Sequence, residues 1–174
     1  MVVRRRRGQP AVSVVIRRPV VADAEALADL HLAVWAEAYA GLIPAAQLAA
    51  RRRNRHVRVD RWRARIESDP EGLRVAERDG RLLGFAQAGP GRDRPEPSLP
   101  GLELMALYVR SACYGTGVGF SLFDAVIGDA AAYLWVLDGN DRAIAFYRRQ
   151  GFELDGAVKR EPPGVERRMV RGRV

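Results

Sequence analysis

The clearest chemistry in this 174-residue sequence sits where Leu104-Met105-Ala106-Leu107-Tyr108-Val109 gives way to Tyr114-Gly115-Thr116-Gly117-Val118-Gly119 and then to Ser121-Leu122-Phe123-Asp124-Ala125-Val126-Ile127. Glycines that open a helix suit an anion. The first N–H groups of a helix have no internal partner and lie at the positive end of its dipole, and glycine lets a phosphate approach the main chain. Two familiar phosphate loops fail on residue type. A dinucleotide loop counted from Gly115 and Gly117 needs Gly or Ala where Phe120 stands, and no Gly-Lys-Ser/Thr follows as a P-loop requires. Nucleophilic and metal chemistry find less support. Cys113 is the only cysteine, and His31 and His56 are the only histidines, with no ligand spacing between them.

The elements that must position this loop follow from pattern. Leu104–Val109 reads as a buried strand and the segment from Ser121 as a helix, giving strand, glycine loop, helix. A second strand, Tyr133–Asn140, leads to a helix from Asp141 to Gln150 that Gly151 stops. Upstream, Val12–Arg17 reads as a β-branched strand ended by Pro19. Asp23 is placed to cap a helix carrying Leu27, Leu30 and Val34, with Trp35 and Tyr39 following. Trp35 and Tyr39, four apart, share a face and either line a pocket or belong to the core. A short helix near Ala45–Ala50 leads into an arginine-rich stretch with Val57, Trp62 and Ile66 as its apolar stripe. Leu73–Glu77 and Arg81–Ala88 form a hairpin about Asp79-Gly80. Gly89 to Gly101 contains four prolines and is a loop. The last strands, Glu153–Ala157 and Val165–Val170, flank Pro162-Pro163-Gly164. The order is strand, helices, three strands, helix, strand, helix, two strands.

Length and composition fit one domain, residues 12–174, behind a basic flexible tail at 1–11. No apolar run approaches the roughly 20 residues that span a bilayer, and the basic start lacks the apolar core of a secretion signal, so a cytoplasmic protein is expected. The net charge is +8, and Lys159 is the only lysine among 29 basic residues. Arginines cluster at Arg4–Arg7 and between Arg51 and Arg65, as a tail and a solvated helix face; nucleic acid is not the expected partner.

Taken together, the glycine loop and the downstream string Leu-Trp-Val-Leu-Asp-Gly-Asn-Asp-Arg-Ala-Ile-Ala-Phe-Tyr-Arg-Arg-Gln-Gly-Phe resemble two motifs of the GNAT superfamily of N-acetyltransferases. The first is (Gln/Arg)-x-x-Gly-x-(Gly/Ala), with Gly117 and Gly119 on its glycine positions. The second is Asn-x-x-Ala-x-x-Phe-Tyr-x-x-x-Gly-Phe, beginning at Asn140. The resemblance runs over residues 14–171 and implies an α/β (α+β) fold with a mixed, mostly antiparallel central sheet flanked by helices. Tyr114 departs from the pattern, standing where Gln or Arg is usual. The segment before Trp135 is also shorter than usual.

What the resemblance implies is acetyl transfer from acetyl-CoA, as cosubstrate, to a primary amine by direct attack in a ternary complex, without a metal. Tyr114, Gly115, Thr116, Gly117, Val118 and Gly119 would hold the pyrophosphate. Main-chain groups of Leu107, Tyr108 and Val109 would pair with the pantetheine arm and polarise the thioester carbonyl, a contribution worth roughly 3–4 kcal/mol elsewhere. Tyr147 would protonate the leaving thiolate. Asn140 would touch the cofactor and cap the next helix. The helix bearing Trp35 and Tyr39 would wall the acceptor site. Glu103 is the candidate base: it leads the central strand, shares a face with Met105, Leu107 and Val109 by simple alternation, and would have a raised pKa beside a cleft; Asp138 is a weaker substitute. The acceptor is expected to be a small molecule, an antibiotic or metabolite. Alternatives are a protein N-terminus or lysine, an aminoacyl-tRNA, or a non-catalytic acyl-CoA sensor, and a homodimer is compatible with the resemblance.

Overall fold

A computed structural model describes residues 13–69, 71–161 and 164–172. Arg4 to Arg7, Val12 and the pair Pro162-Pro163 lie outside the described residues. Seven strands form one sheet in the order β1-β2-β3-β4-β5-β7-β6. They are β1 (Val15–Arg17), β2 (Leu73–Arg78), β3 (Arg81–Pro90), β4 (Leu102–Val109), β5 (Ala132–Leu137), β6 (Glu153–Glu161) and β7 (Gly164–Arg171). Every neighbouring pair is antiparallel except β4 with β5. The helices are α1 (Ala24–Ala38), α2 (Ala45–Arg53), α3 (Arg55–Ser68), α4 (Val118–Val126) and α5 (Asp141–Arg149).

Two layers of helix cover the sheet. On one face, Leu27, Leu30 and Val34 of α1 and Val59, Trp62 and Ile66 of α3 pack on Leu73, Val75 and Phe85. On the other, Phe123 and Tyr147, from α4 and α5, meet Leu134, Val136 and Met169. Burying side chains of this size contributes about 1.5–3 kcal/mol each. The buried stripe of α3 therefore begins at Val59 rather than Val57, which is exposed. Position 59 keeps the helical spacing with 62 and 66, whereas 57 falls off that face.

Local rules explain the hairpin and one cap. Asp79 and Gly80 both take positive φ, 53° and 73°, as a two-residue turn matched to strand twist requires. Asn140 Oδ1 accepts the Ala143 N–H at 3.3 Å and so caps α5. Asp23 behaves otherwise than expected. It ends a 3₁₀ turn, accepts the Val20 N–H at 2.7 Å, and holds the Arg17 guanidinium with both oxygens instead of capping α1. Farther along, Arg171 donates to the carbonyls of Gly128, Ala130 and Gln150, closing the short connection between α4 and β5.

Candidate active site

The site is created where two parallel strands part. β4 pairs with β5 only at Glu103↔Tyr133 and Leu104↔Leu134, although β4 runs on to Val109 and β5 to Leu137. Its pairing with β3 jumps from Ala88↔Leu104 to Gln87↔Ala106, which leaves Met105 as an extra residue on β4. Such a bulge bends and twists its strand. Beyond it lies an open cleft of about 360 Å³, lined on one side by Leu104 to Val109 and on the other by Trp135, Val136, Asn140, Ala143, Phe146 and Tyr147. Leu107, Tyr108 and Val109 thus bound the cleft, with the β4 edge that faces β5 unpaired beyond Leu104.

The glycine loop closes one end. Cys113 ends a 3₁₀ turn and is buried, and Thr116 Oγ1 donates to its carbonyl at 2.7 Å. Gly115 and Gly117 have φ of 74° and 89°, a region where a side chain is strained. Gly117 starts α4 with no side-chain cap, and a Cβ there or at Gly115 would meet no atom within 4 Å. The amides that open α4, Val118 to Phe120, precede its first bond, from the Ser121 N–H to the Gly117 carbonyl at 3.0 Å, and have no acceptor within the helix. Gly115, Gly117 and Gly119 all line the cleft, as does Tyr114. These residues fit a phosphate group.

Tyrosines mark the opposite side. Tyr147 lines the cleft from α5 and is 8% exposed, and burial pushes its phenol well above the ordinary range. Tyr39 and Tyr108 share a hydrogen bond of 2.9 Å between hydroxyls, and burial raises both phenols. Tyr39 lines the cleft, whereas Trp35 turns into an aromatic cluster with His31 and Tyr108 and carries the Arg51 guanidinium 3.6 Å over its ring. The two residues expected to act alike are thus divided between pocket and core. In the same cluster His31 contacts Trp62 and Phe85, and burial together with Arg58 and Arg51 pushes it down to about 3.

Glu103 is placed against expectation. Because Met105 is an extra residue, Glu103 shares its face with Ala106 and Tyr108 rather than with Leu107 and Val109. It is 1% exposed and is absent from the cleft lining. Its carboxylate accepts the Arg92 backbone N–H at 3.0 Å, Arg92 Nε at 2.9 Å and the Tyr133 hydroxyl at 3.1 Å. Burial alone would raise its pKa, but the Arg92 donors outweigh that and hold it below the usual carboxylate value. The expected rise is corrected to a fall. Asp138, the substitute, pairs with Arg167 at 2.8 Å and is exposed.

Sequence reasoning missed what ties the proline-rich loop across the sheet. Asp93 accepts from Trp135 Nε1 at 2.9 Å, Lys159 Nζ at 2.8 Å and Arg168 at 3.4 Å, while Glu96 takes the same arginine at 3.3 Å. Gly91 passes so close to Tyr133 that a Cβ would lie 2.9 Å from the ring. An Asp-Arg-Pro-Glu-Pro run looks solvated in one dimension, and only the register of β5, β6 and β7 brings its partners together. In the arginine-rich helices, Arg55 reaches across to Asp29 of α1 in the same way, whereas Arg63 with Asp60 and Arg65 with Asp69 are local pairs three and four residues apart. Among the described residues, no group of three metal-ligating side chains converges, and no helix is long and apolar enough to cross a membrane.

Comparison with known proteins agrees with this geometry. The Acetyltransferase (GNAT) family model matches residues 35–152. An uncharacterized N-acetyltransferase of Mycobacterium tuberculosis H37Rv is 33% identical over 96 residues, which are 51% of this chain and 58% of that protein. A mycothiol acetyltransferase of a Parafrankia species is 34% identical over 107 residues, 51% of this chain and 33% of that protein. The chain therefore covers less than two thirds of the length of either relative. PaiA N-acetyltransferase from Thermoplasma acidophilum, solved in complex with coenzyme A, superimposes with a TM-score of 0.66 at 18% identity, covering 92% of this chain and 99% of that one. Likeness at that identity shows a shared fold.

Proposed function

Because this chain belongs to the GNAT acetyltransferase family, we propose that it transfers an acetyl group from acetyl-CoA to a primary amine by direct attack in a ternary complex. The observation that carries the reading is the parting of β4 from β5 beyond Leu104 and Leu134, with α4 starting uncapped at the end of the same cleft. An extended amide chain can pair with the unpaired β4 edge from Ala106 to Val109 as a peptide pairs with a sheet edge. Amides at the start of α4 would take the pyrophosphate. When bound, acetyl-CoA supplies an activated thioester.

The chain's own groups would do the rest. An N–H of the β4 edge would donate to the thioester carbonyl, a preorganised contact worth about 3–4 kcal/mol as charge develops there. Tyr147, whose raised pKa keeps it protonated through neutral pH, would give its proton to the departing thiolate. Tyr39 would stand at the acceptor side of the cleft, fixed by its bond to Tyr108. Glu103 is a structural carboxylate in this reading, and the amine's proton would leave to water in the open cleft. The acceptor class proposed is a small amine met in the cytoplasm.

Thermal unfolding with acetyl-CoA is the first test. At a hundredfold excess over Kd, binding adds about 2.7 kcal/mol, several degrees for a chain of this length. Release of CoA thiol is then followed across a panel of small primary amines. An unmoved midpoint with folded protein would refute the cofactor assignment, and binding without thiol release from any amine would refute catalysis.

A further inference from the structure

We infer that Arg142 is the cation that binds the cofactor's pyrophosphate, held in place by stacking on Tyr114; this rests on the acetyl-CoA reading above. The loop from Tyr114 to Gly119 has no charged side chain of its own. An anion there would meet only N–H groups and a helix dipole. Among the described residues, the cations lining the cleft are Arg142 and Arg149, both on α5. Arg142 lies in the first turn, and its guanidinium carbon sits 3.8 Å from the centroid of the Tyr114 ring. The first residue of the glycine loop therefore carries the arginine. Arg149 is two turns farther along, about 10 Å by helical rise, and serves a different part of the cleft.

The state of that guanidinium suits ligand binding. Among the described residues, Arg142 has no carboxylate within ion-pair distance, whereas Arg92, Arg110 and Arg167 each have one and Arg168 has three. Its neighbour Asp141 stands at the start of α5 and does not pair with it. Stacking engages the flat face of a guanidinium and leaves its N–H edge free, and that edge matches two phosphate oxygens at once. Tyr114 is half-buried and Arg142 exposed, so the ring is the more fixed member of the pair. A tyrosine at this position supplies no charge but aims one.

The test is calorimetric titration of the full chain with CoA and with dephospho-CoA, which keeps the pyrophosphate and lacks the 3′-phosphate. Arg142→Gln should weaken both ligands by about ten- to a hundredfold, the range for a lost hydrogen bond to a charged group. Arg142→Lys should fall between wild type and Arg142→Gln. Tyr114→Leu should weaken CoA several-fold in the wild-type background and add little to Arg142→Gln, while Tyr114→Phe, which keeps the face, should match wild type. Both positions lie at the surface of the cleft, and unfolding midpoints should stay within a few degrees. An Arg142→Gln protein that binds CoA within twofold of wild type would overturn the inference. So would a loss seen with CoA and missing with dephospho-CoA, which would move the contact to the 3′-phosphate. Failure of the wild type to bind CoA would sink the cofactor reading and this inference with it.

Discussion

Arg92 closes over Glu103 with its backbone N–H at 3.0 Å and its Nε at 2.9 Å, so that the carboxylate leading the central strand is spent on the proline-rich loop. Arg92 itself remains 64% exposed, and the pair is partly screened by solvent. The carboxylate side is fully buried and also accepts from Tyr133. This asymmetry makes Glu103 a structural anchor with one wet partner.

Replacing Glu103 by Gln should therefore destabilise the fold by about 1–3 kcal/mol, the penalty for a buried network left partly unpaired. Urea unfolding reads this directly. The dependence of kcat/KM on pH should keep its wild-type shape, since no proton passes through this carboxylate. A lost acid limb in the variant would restore Glu103 as the base.

Tyr147→Phe should lower kcat by about a hundredfold or more, the usual scale of general acid catalysis, and leave the Kd for acetyl-CoA within about twofold. Stopped-flow thiol release and calorimetry separate the two. Burial drives this phenol upward, so it stays protonated well past neutrality. A wild-type fall in kcat between pH 7 and 9 that vanished in Tyr147→Phe would contradict that protonation state.

Gly117→Ala isolates the backbone. No atom lies within 4 Å of the added Cβ, so the cost comes from a φ of 89° alone, about 1–2 kcal/mol. The unfolding midpoint should drop by several degrees. Affinity for acetyl-CoA should drop tenfold or more as the loop relaxes and the first amides of α4 lose their aim. A variant with unchanged affinity would place the phosphates elsewhere.

His31 predicts an acid-sensitive fold. Its folded-state pKa is pushed down to about 3 from 6.5, so between those values the unfolded chain holds a proton that the folded chain does not. Stability from this group is complete above pH 6.5 and is lost as pH falls toward 3. Since the ring is only half-buried, about 2–3 kcal/mol between pH 7 and 4 is expected. His31→Phe keeps an aromatic ring in the cluster and should flatten this part of the profile. Asp23, Asp29 and Asp93, held below the usual carboxylate range, will still weaken both proteins in acid, so the difference between the two curves is what counts.

What the sequence by itself determined was chemistry set by neighbours along the chain. Gly115 and Gly117 had to be glycine for their φ, Asp79-Gly80 had to be a tight hairpin, and Asn140 was placed three residues before the amide it caps. The succession of strands and helices along the chain and the loop-to-helix junction followed from such signals and from apolar period. Tertiary structure alone decided which face each residue shows and which partner it finds. Met105 looks like any strand residue, yet as an extra one it puts Glu103 on the face of Ala106 and Tyr108 instead of that of Leu107 and Val109, because a shift of one residue exchanges the two faces of a strand. Arg92 and Asp93 are adjacent in the sequence, but the sheet delivers Glu103 to the first and Trp135, Lys159 and Arg168 to the second. Tyr114 and Arg142 stand 28 positions apart and touch only because α4 and α5 flank the same parted strands. Ion pairs and stacks of this kind carry no period and no local geometric demand, so they leave no mark until the chain has folded.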